Sequence, residues 1–290
     1  MVAASRGHRA FQVVNAGLLT CVVAVTLFPF VTIVARSFSG ESEIRSGQVS
    51  FWPKGFNLTT YERVMSDAMF WTNYRNTVVY TVVATAIALV LTTSYAYVLS
   101  KHHLKGRGLL VGVAVFTMFF NGGLIPNYVL VSALGLRNTL WAIVLPNAIS
   151  VFNLLVMKAF FESLPVELEE AAAVDGTGTY GTLLRIVLPL SKAVLATMLL
   201  FYAVSFWNSW FAGFLYMDRQ ELFPVTVFLR NLIAGATSGT DNTASSEAAL
   251  QIAANIQAVT IVLTMLPIML VYPFIQRFFV SGVMLGAVKG

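Results

Sequence analysis

The residue types that usually carry catalysis are scarce and poorly spaced in this chain. Its three histidines are His8, His102 and His103, and an adjacent pair without carboxylates close by is a poor metal-ligand spacing. Cys21 is the single cysteine, so neither an internal disulfide nor a cysteine metal site can form. Phosphate-binding loops of ATPases need a Gly-Lys dipeptide, which the sequence lacks. We therefore expect no catalytic residue, no metal site and no cofactor in this chain.

One acidic segment instead has the composition of a small docking element. The acids at its start are Glu167, Glu169 and Glu170, where the positive end of a helix dipole would favour them. Gly176 can adopt the left-handed conformation that ends a helix. A second amphipathic stretch follows over residues 180–187. We therefore expect an elbow of two short helices within residues 162–190.

The elements that must position this elbow are strongly apolar. Hydrophobic residues make up 57% of the 290 positions and charged residues 11%, whereas about a quarter of the residues in soluble domains are charged. Six uncharged stretches can each cross a hydrocarbon core, which takes about 20 helical residues: 11–35, 77–100, 109–136, 138–157, 193–217 and 248–276. The sequence predicts an all-α membrane protein with six transmembrane helices in a single domain, 1–290. Asn76 and Thr77 are expected to cap the second helix.

The distribution of basic residues predicts how the chain is oriented. Lys101, Lys105 and Arg107 lie between the second and third spans, whereas Arg137 stands alone between the third and fourth. Because Lys and Arg are retained on the cytoplasmic side, both termini and the elbow should be cytoplasmic. The net charge of +5 is dispersed over helix ends, where anionic lipid headgroups are the simpler partner. We expect contact with membrane lipid and no nucleic-acid binding.

The elbow resembles the EAA loop of binding-protein-dependent ABC importers. The fixed positions of that motif are present at its spacing: Glu170-Ala171-Ala172, Gly176, Ile186 and Leu188-Pro189. In that family the loop is a coupling helix that sits in a cleft of the cytoplasmic ATPase. The resemblance implies that these residues, with Asp175, transmit nucleotide-driven closure to the spans. The small Ala171-Ala172 pair would allow close docking of the helix into a groove.

The resemblance extends over nearly the whole chain to carbohydrate-uptake permeases. The matching stretches are 121–126, 135–141, 201–211 and 282–290. They are most similar to the branch named after lipoprotein and complex-polysaccharide permeases, whose members are associated with oligosaccharides, including acidic ones from alginate and pectin. The resemblance implies a type I ABC importer permease of the bacterial cytoplasmic (inner) membrane. Its implied partners are a second, similar permease subunit, two ATPase subunits that bind ATP and magnesium, and an extracytoplasmic solute-binding protein.

A translocation path through this chain would carry no charge, because all six expected spans are uncharged. Neutral hydrogen bonds and ring stacking, which suit sugars, would then recognise the cargo. The candidates for the path are Asn121, Asn127, Tyr128, Tyr202, Trp207, Asn208 and Trp210, and further polar candidates are Asn147, Asn153, Asn255 and Gln257. The alternative role of these side chains is apolar packing, or interhelical hydrogen bonding worth about 1 kcal/mol each.

Two other functions fit these residues less well than an ATP-driven importer. An ion-coupled secondary transporter of a small polar solute usually has ionisable residues or broken helices at the midplane, and the expected spans hold no charge. A membrane enzyme would need converging acids, bases or metal ligands. Two segments outside the spans also carry expectations. The outer loop 218–247, with a polar tip at 235–242, would reach the binding protein, and residues 282–290 would contact the ATPases.

Overall fold

The computed structural model describes residues 6–238 and 255–273 of the chain. All regular structure in these two ranges is helical. The α-helices are α1 Arg6–Ser37, α2 Glu41–Arg45, α3 Thr59–Met65, α4 Ala68–Ser100, α5 Arg107–Phe119, α6 Leu124–Ala133, α7 Trp141–Val144, α8 Val151–Glu162, α9 Glu167–Val174, α10 Thr179–Thr182, α11 Leu188–Leu190, α12 Lys192–Trp207, α13 Phe211–Tyr216, α14 Val225–Ser238 and α15 Asn255–Pro273. A 3₁₀ turn follows α7 at Leu145–Asn147, a π-helical turn joins α10 to α11 at Leu183–Val187, and a second 3₁₀ turn lies at Gln220–Leu222.

The chain divides into two compact units. The described part of the first comprises residues 6–70, 229–238 and 255–266, and that of the second comprises residues 71–228 and 267–273. In the first unit, the Asn255 side chain donates to the Ser39 carbonyl at 2.8 Å, and the Tyr61 hydroxyl donates to Ser37 Oγ at 2.9 Å. The elbow and most of the candidate path residues belong to the second unit. The expectation of a single domain over 1–290 stays a prediction.

Three described helices, α1, α4 and α15, are each long and apolar enough to cross a membrane. Three bent helix pairs have the same length and composition. They are α5 with α6 at 113°, α7 and its 3₁₀ turn with α8 at 53°, and the segment 179–190 with α12 at 85°. The described residues therefore offer up to six spans if each bent pair is counted as one.

The expected spans 109–136 and 138–157 are both broken. Between α5 and α6, Gly123 has φ +93°, a left-handed value that glycine adopts without steric cost. The Asn121 side chain stabilises this break, because its Oδ1 accepts a hydrogen bond from the Gly123 N–H at 2.9 Å. In the second pair, Ser150 caps α8 by accepting from the Asn153 N–H at 3.4 Å. Apolar run length predicts that a segment crosses the membrane, but not where it bends.

The remaining expected boundaries also shift. The span expected at 193–217 consists of α12 and α13, separated at residues 208–210. Much of the loop expected at 218–247 is the helix α14. Residues 239–242 of its expected tip lie outside the described residues, as do 248–254 and 274–276 of the last expected span and the terminal segment 282–290.

The expected helix cap at Asn76 and Thr77 is wrong, because α4 begins two turns earlier at Ala68. Both side chains instead hold the 3₁₀ turn Gln220–Leu222 and its flanks. The Asn76 amide donates to the carbonyls of Glu221 at 2.6 Å and Phe223 at 3.2 Å. Thr77 Oγ1 accepts a hydrogen bond from the Val225 N–H at 2.8 Å. One turn further along α4, the Tyr80 hydroxyl donates to the Leu222 carbonyl at 2.9 Å. Side chains of α4 thus satisfy the backbone of this turn.

The start of the same turn is held from a second side. One guanidinium nitrogen of Arg137 contacts both carboxylate oxygens of Asp218 in an ion pair, with N···O distances of 2.7 and 2.8 Å. The Asn138 amide donates to Asp218 at 2.8 Å, and its carbonyl oxygen accepts from the Asp218 N–H at 2.7 Å. The hydrogen bond from Asn138, assisted by the positive charge of Arg137, lowers the pKa of Asp218 below its ordinary value. These contacts fix where the chain leaves α13.

Two hydrophobic clusters pack along successive parts of α4. The first joins its Tyr80–Ala88 portion to α6, α7, α12 and α13, and Tyr202 and Phe206 are its largest contributions from α12. The second joins the last turns of α4 to α5, α8, α12 and the elbow, and includes the fully buried Leu154, Met157 and Met198. Helix α4 is therefore the common packing partner of the helices that carry both candidate sites.

Candidate coupling site and substrate path

The elbow forms where the sequence predicts it. Helix α9 ends at Val174, and Gly176 follows with φ +73°. The Thr177 N–H donates to the Ala172 carbonyl at 2.8 Å and the Gly176 N–H to the Ala173 carbonyl at 3.1 Å. This pair of bonds is the Schellman arrangement, which satisfies the last carbonyls of a helix. The predicted role of Gly176 in ending the helix is confirmed.

The second arm of the elbow is one continuous helical segment over residues 179–190, with a π-helical turn in its middle. Leu183 and Val187 are buried in the second hydrophobic cluster, and Leu188 packs against it. Ile186 is half-buried, whereas Pro189 is exposed. A bend of 85° then separates this arm from α12. The inward residues of the arm therefore attach the elbow to the helical bundle.

The two alanines of the motif do not share a face. Ala172 is 3% exposed and faces the protein, whereas Ala171, Glu170 and Asp175 are exposed. Successive residues on an α-helix point about 100° apart, so adjacent small residues cannot both line one narrow contact strip. The interpretation of Ala171-Ala172 as a thin docking face is wrong for Ala172, whose small size serves packing within this chain.

Two clefts lie in the second unit near the expected path. The first cleft, of about 580 Å³, is lined by polar residues Asn121, Asn127, Asn147 and Tyr216 among mostly aliphatic side chains. The second cleft, of about 650 Å³, is lined by polar residues Asn147, Ser150, Asn153, Ser205, Tyr202 and Tyr272. Pro146 and Asn147 line both clefts, which therefore adjoin at the 3₁₀ turn after α7. The lining residues of both clefts that the structure describes are uncharged.

Only some of the candidate path residues meet in these clefts. Asn121 and Asn127 both line the first cleft, and the Asn127 amide donates to Asn121 Oδ1 at 3.5 Å. Tyr128 is half-buried beside this cleft, with its ring stacked on Tyr216 at a centroid distance of 6.2 Å. Tyr202 lines the second cleft but is only 2% exposed.

The other three candidates lie elsewhere. Trp207 is buried and lines an apolar hollow of about 260 Å³, and its ring is edge-to-face with the Tyr74 ring at a centroid distance of 5.9 Å. Asn208 is exposed and its amide donates to the Val204 carbonyl of its own helix. Trp210 is 40% exposed and packs on the rings of neighbouring aromatic residues. The roles of all the path candidates stay predictions.

Sequence reasoning missed two kinds of residue at these sites. Tyr216 lines the first cleft from α13, and no spacing in the sequence links it to Asn121. Lys101 and Glu169 form an ion pair across 68 residues of sequence. Their opposite charges at the ends of apolar stretches were the available signal, but charge alone does not identify which partner each residue meets.

Comparison with known proteins decides the family. The sequence model of the family described as binding-protein-dependent transport system inner membrane component matches residues 108–284. The chain belongs to this family. As a permease of the family, it is a non-catalytic inner-membrane subunit of an ABC importer, which works with ATPase and solute-binding-protein partners. The resemblance inferred from the elbow motif is thereby confirmed, and the ion-coupled alternative gains no support.

Individual relatives cover nearly all of the permease. It is 41% identical to protein LplC of Bacillus subtilis (strain 168) over 286 residues, which is 99% of this chain and 97% of the relative. It is 37% identical over 285 residues to the polygalacturonan/rhamnogalacturonan transport system permease protein YtcP of the same organism, covering 98% of this chain and 99% of YtcP.

A solved structure shares the fold. It is a crystal structure of a bacterial ABC transporter involved in the import of the acidic polysaccharide alginate, and one of its chains superposes with a TM-score of 0.85 at 32% identity. The match covers 96% of this permease and 100% of that chain. The predicted all-α fold of a type I ABC importer permease is confirmed.

Proposed function

We propose that this permease moves oligosaccharides, including acidic ones of the alginate or pectin type, into the cytoplasm. It would act with a second, homologous permease, two ATPase subunits that bind ATP and magnesium, and an extracytoplasmic binding protein. The basic residues between α4 and α5 support an orientation with this link, the elbow and both termini in the cytoplasm. The transport of polygalacturonan, rhamnogalacturonan and alginate by related systems supports the class of cargo.

The observation that carries the proposal is the chemistry of the two adjoining clefts. Asparagine amides both donate and accept hydrogen bonds, as sugar hydroxyls do. Asn121, Asn127 and Asn147 are set among aliphatic side chains, which would cover the apolar faces of sugar rings. Since none of the described residues that line either cleft is charged, this subunit would recognise hydroxyl groups, and the carboxylates of an acidic sugar would be met by the partner subunits.

Uptake by the complete reconstituted transporter tests this cargo. Asn127→Leu and Asn147→Leu remove amides from the clefts, and each should raise the KM for oligosaccharide uptake by about tenfold, the effect of one lost hydrogen bond of about 1.4 kcal/mol. Asn15→Leu is the matched control, because Asn15 is an exposed residue of α1. Equal KM values for all three variants and the unaltered permease would contradict a sugar path through these clefts.

We also infer that the open face of the elbow docks on the ATPase. Val174 is 88% exposed, Tyr180 83% and Leu184 63%, and Glu170, one turn before Val174 on α9, is also exposed. Large exposed apolar side chains on both arms of the elbow are typical of a protein contact surface. Glu170→Lys should leave membrane insertion intact but abolish transport and binding-protein-stimulated ATP hydrolysis. Normal stimulated hydrolysis by a correctly assembled variant would refute the docking.

A further inference from the structure

Two adjacent glutamates of α9 have different surroundings. Glu170, the glutamate of the motif, is exposed. The Glu169 side chain is 30% exposed, and its carboxylate forms an ion pair with the ammonium group of Lys101, which is 16% exposed. Lys101 directly follows the last residue of α4. The pair therefore connects the first turn of α9 to the end of α4, two elements that are 68 residues apart at this contact.

The cation of this pair is held in a fixed place. Lys101 Nζ lies 3.8 Å from the centroid of the Tyr97 ring, one turn earlier on α4. A ring face attracts a cation that is partly removed from water. Tyr97 is itself buried, at 4% exposure, and its ring packs edge-to-face against the Phe161 ring at a centroid distance of 6.2 Å. Lys101 is thus seated on the hydrophobic core and is not a freely moving surface side chain.

A second group of charged residues binds the neighbouring helix ends together. Arg107, the first residue of α5, pairs with Glu162, the last residue of α8. Arg107 Nε also donates to the Leu99 carbonyl of α4 at 2.8 Å, and Lys158 Nζ lies 2.8 Å from Glu162 Oε1. We call Leu99, Arg107, Lys158 and Glu162 the collar. The collar connects the ends of α4, α5 and α8 to one another.

The chain itself connects α9 to only part of the bundle. In one direction α9 continues through residues 163–166 to α8, and in the other through residues 175–190 to α12. Helices α4 and α5 lie far away in sequence, so a displacement of α9 can reach them only through contacts between side chains. Ion pairs at a protein surface contribute little to the stability of a fold. Transmitting movement between α9 and α4 is therefore a better explanation of the Lys101–Glu169 pair than stabilising the fold.

We propose that the Lys101–Glu169 pair is a strut that passes movement of α9 directly to α4 and, through the collar, to α5 and α8. This inference rests on the proposed docking of the elbow on the ATPase. Glu170 would then face the ATPase while Glu169 faces the spans, so one turn of helix receives and transmits the movement. Lys101 and Glu169 are positioning residues that touch neither ATP nor cargo.

Glu169→Gln tests the strut, with Glu167→Gln as its matched control. Glu167 lies in the same first turn but makes no ion pair among the described residues, so both variants lose one negative charge at the same helix end. In proteoliposomes with the full complex and binding protein, Glu169→Gln should deliver at least fivefold fewer cargo molecules per ATP hydrolysed. Glu167→Gln should keep the ratio of the unaltered permease. Equal ratios for the two variants would overturn the strut.

A charge exchange decides the question even if Glu169→Gln assembles poorly. Lys101→Glu alone places two carboxylates together and should uncouple transport, whereas Lys101→Glu with Glu169→Lys restores an opposite pair. The double variant should recover at least half of the lost transport per ATP. A double variant no better than Lys101→Glu alone overturns the strut while leaving docking intact. If the unaltered permease retains no ATPase on purification, the docking proposal fails and the strut fails with it.

Discussion

Replacing Tyr202 with Phe would remove one oxygen atom from a junction of three helical segments. Tyr202 lies on α12, and its hydroxyl is 2.6 Å from Thr92 Oγ1 of α4. The same hydroxyl accepts a hydrogen bond from the Ser150 N–H at 3.0 Å, at the bend that precedes α8. Thr92 is fully buried and Tyr202 is 2% exposed, so water cannot easily reach the Thr92 hydroxyl in place of the missing oxygen.

The size of the effect follows from the groups left without a partner. A fully buried donor that loses its acceptor costs about 1–3 kcal/mol, and the part-buried Ser150 N–H should cost less than the upper end of that range. Hydrogen bonds between membrane helices are measured at about 0.6 kcal/mol on average and about 1.7 kcal/mol at most. Since two contacts end on the same oxygen, we expect Tyr202→Phe to lower the free energy of unfolding by about 1–2 kcal/mol.

Reversible unfolding in mixed micelles would measure this difference. Tyr95→Phe is the control, because the Tyr95 hydroxyl makes a longer bond, 3.3 Å, to the Leu110 carbonyl at an exposed position. Its loss should cost less than about 0.5 kcal/mol, because a longer hydrogen bond is weaker. Equal free energies of unfolding for the two variants would refute the assignment of Tyr202 as the hydrogen-bonded junction of α4, α8 and α12.

Two further substitutions test other contacts. Asn76→Ala leaves the carbonyls of Glu221 and Phe223 without their amide donor. Amide hydrogen exchange in residues 220–228 should therefore accelerate about tenfold. Unaltered exchange would argue against a role of Asn76 in holding this turn. In Gly213→Ala the new methyl group would lie 2.6 Å from the Pro224 ring. This overpacking should lower the free energy of unfolding by about 1–3 kcal/mol, measured in the same micelle titration. An unchanged free energy of unfolding would show that the Pro224 ring moves aside without cost.

Local chemistry made much of the elbow predictable. A left-handed glycine and a run of acids at a helix start each act on their nearest neighbours, so the position of α9 could be placed from residues 162–190 alone. Gly176 has the expected conformation, at φ +73°. The direction of each side chain was not predictable from composition, and Ala172 therefore proved to be buried.

The functions of polar residues in the spans were less predictable. Asn76 was expected at a helix end and lies inside α4, where it holds a turn about 145 residues away. Asn121 was expected to line the path and does line the first cleft, but its Oδ1 also stabilises the break before α6. An amide can satisfy backbone groups or a ligand with the same atoms, so residue type could not separate the two roles.

By itself, the sequence determined that this protein is a membrane-spanning permease with a cytoplasmic-type coupling motif, because apolar run length and motif spacing are properties of the chain. The tertiary structure decided where the spans bend and which charges meet. Glu169 and Glu170 are neighbours in sequence, yet one pairs with Lys101 and the other is exposed. The physical reason is that a helix turns about 100° with each residue, so the packing of α9 against the bundle selects which carboxylate faces inward.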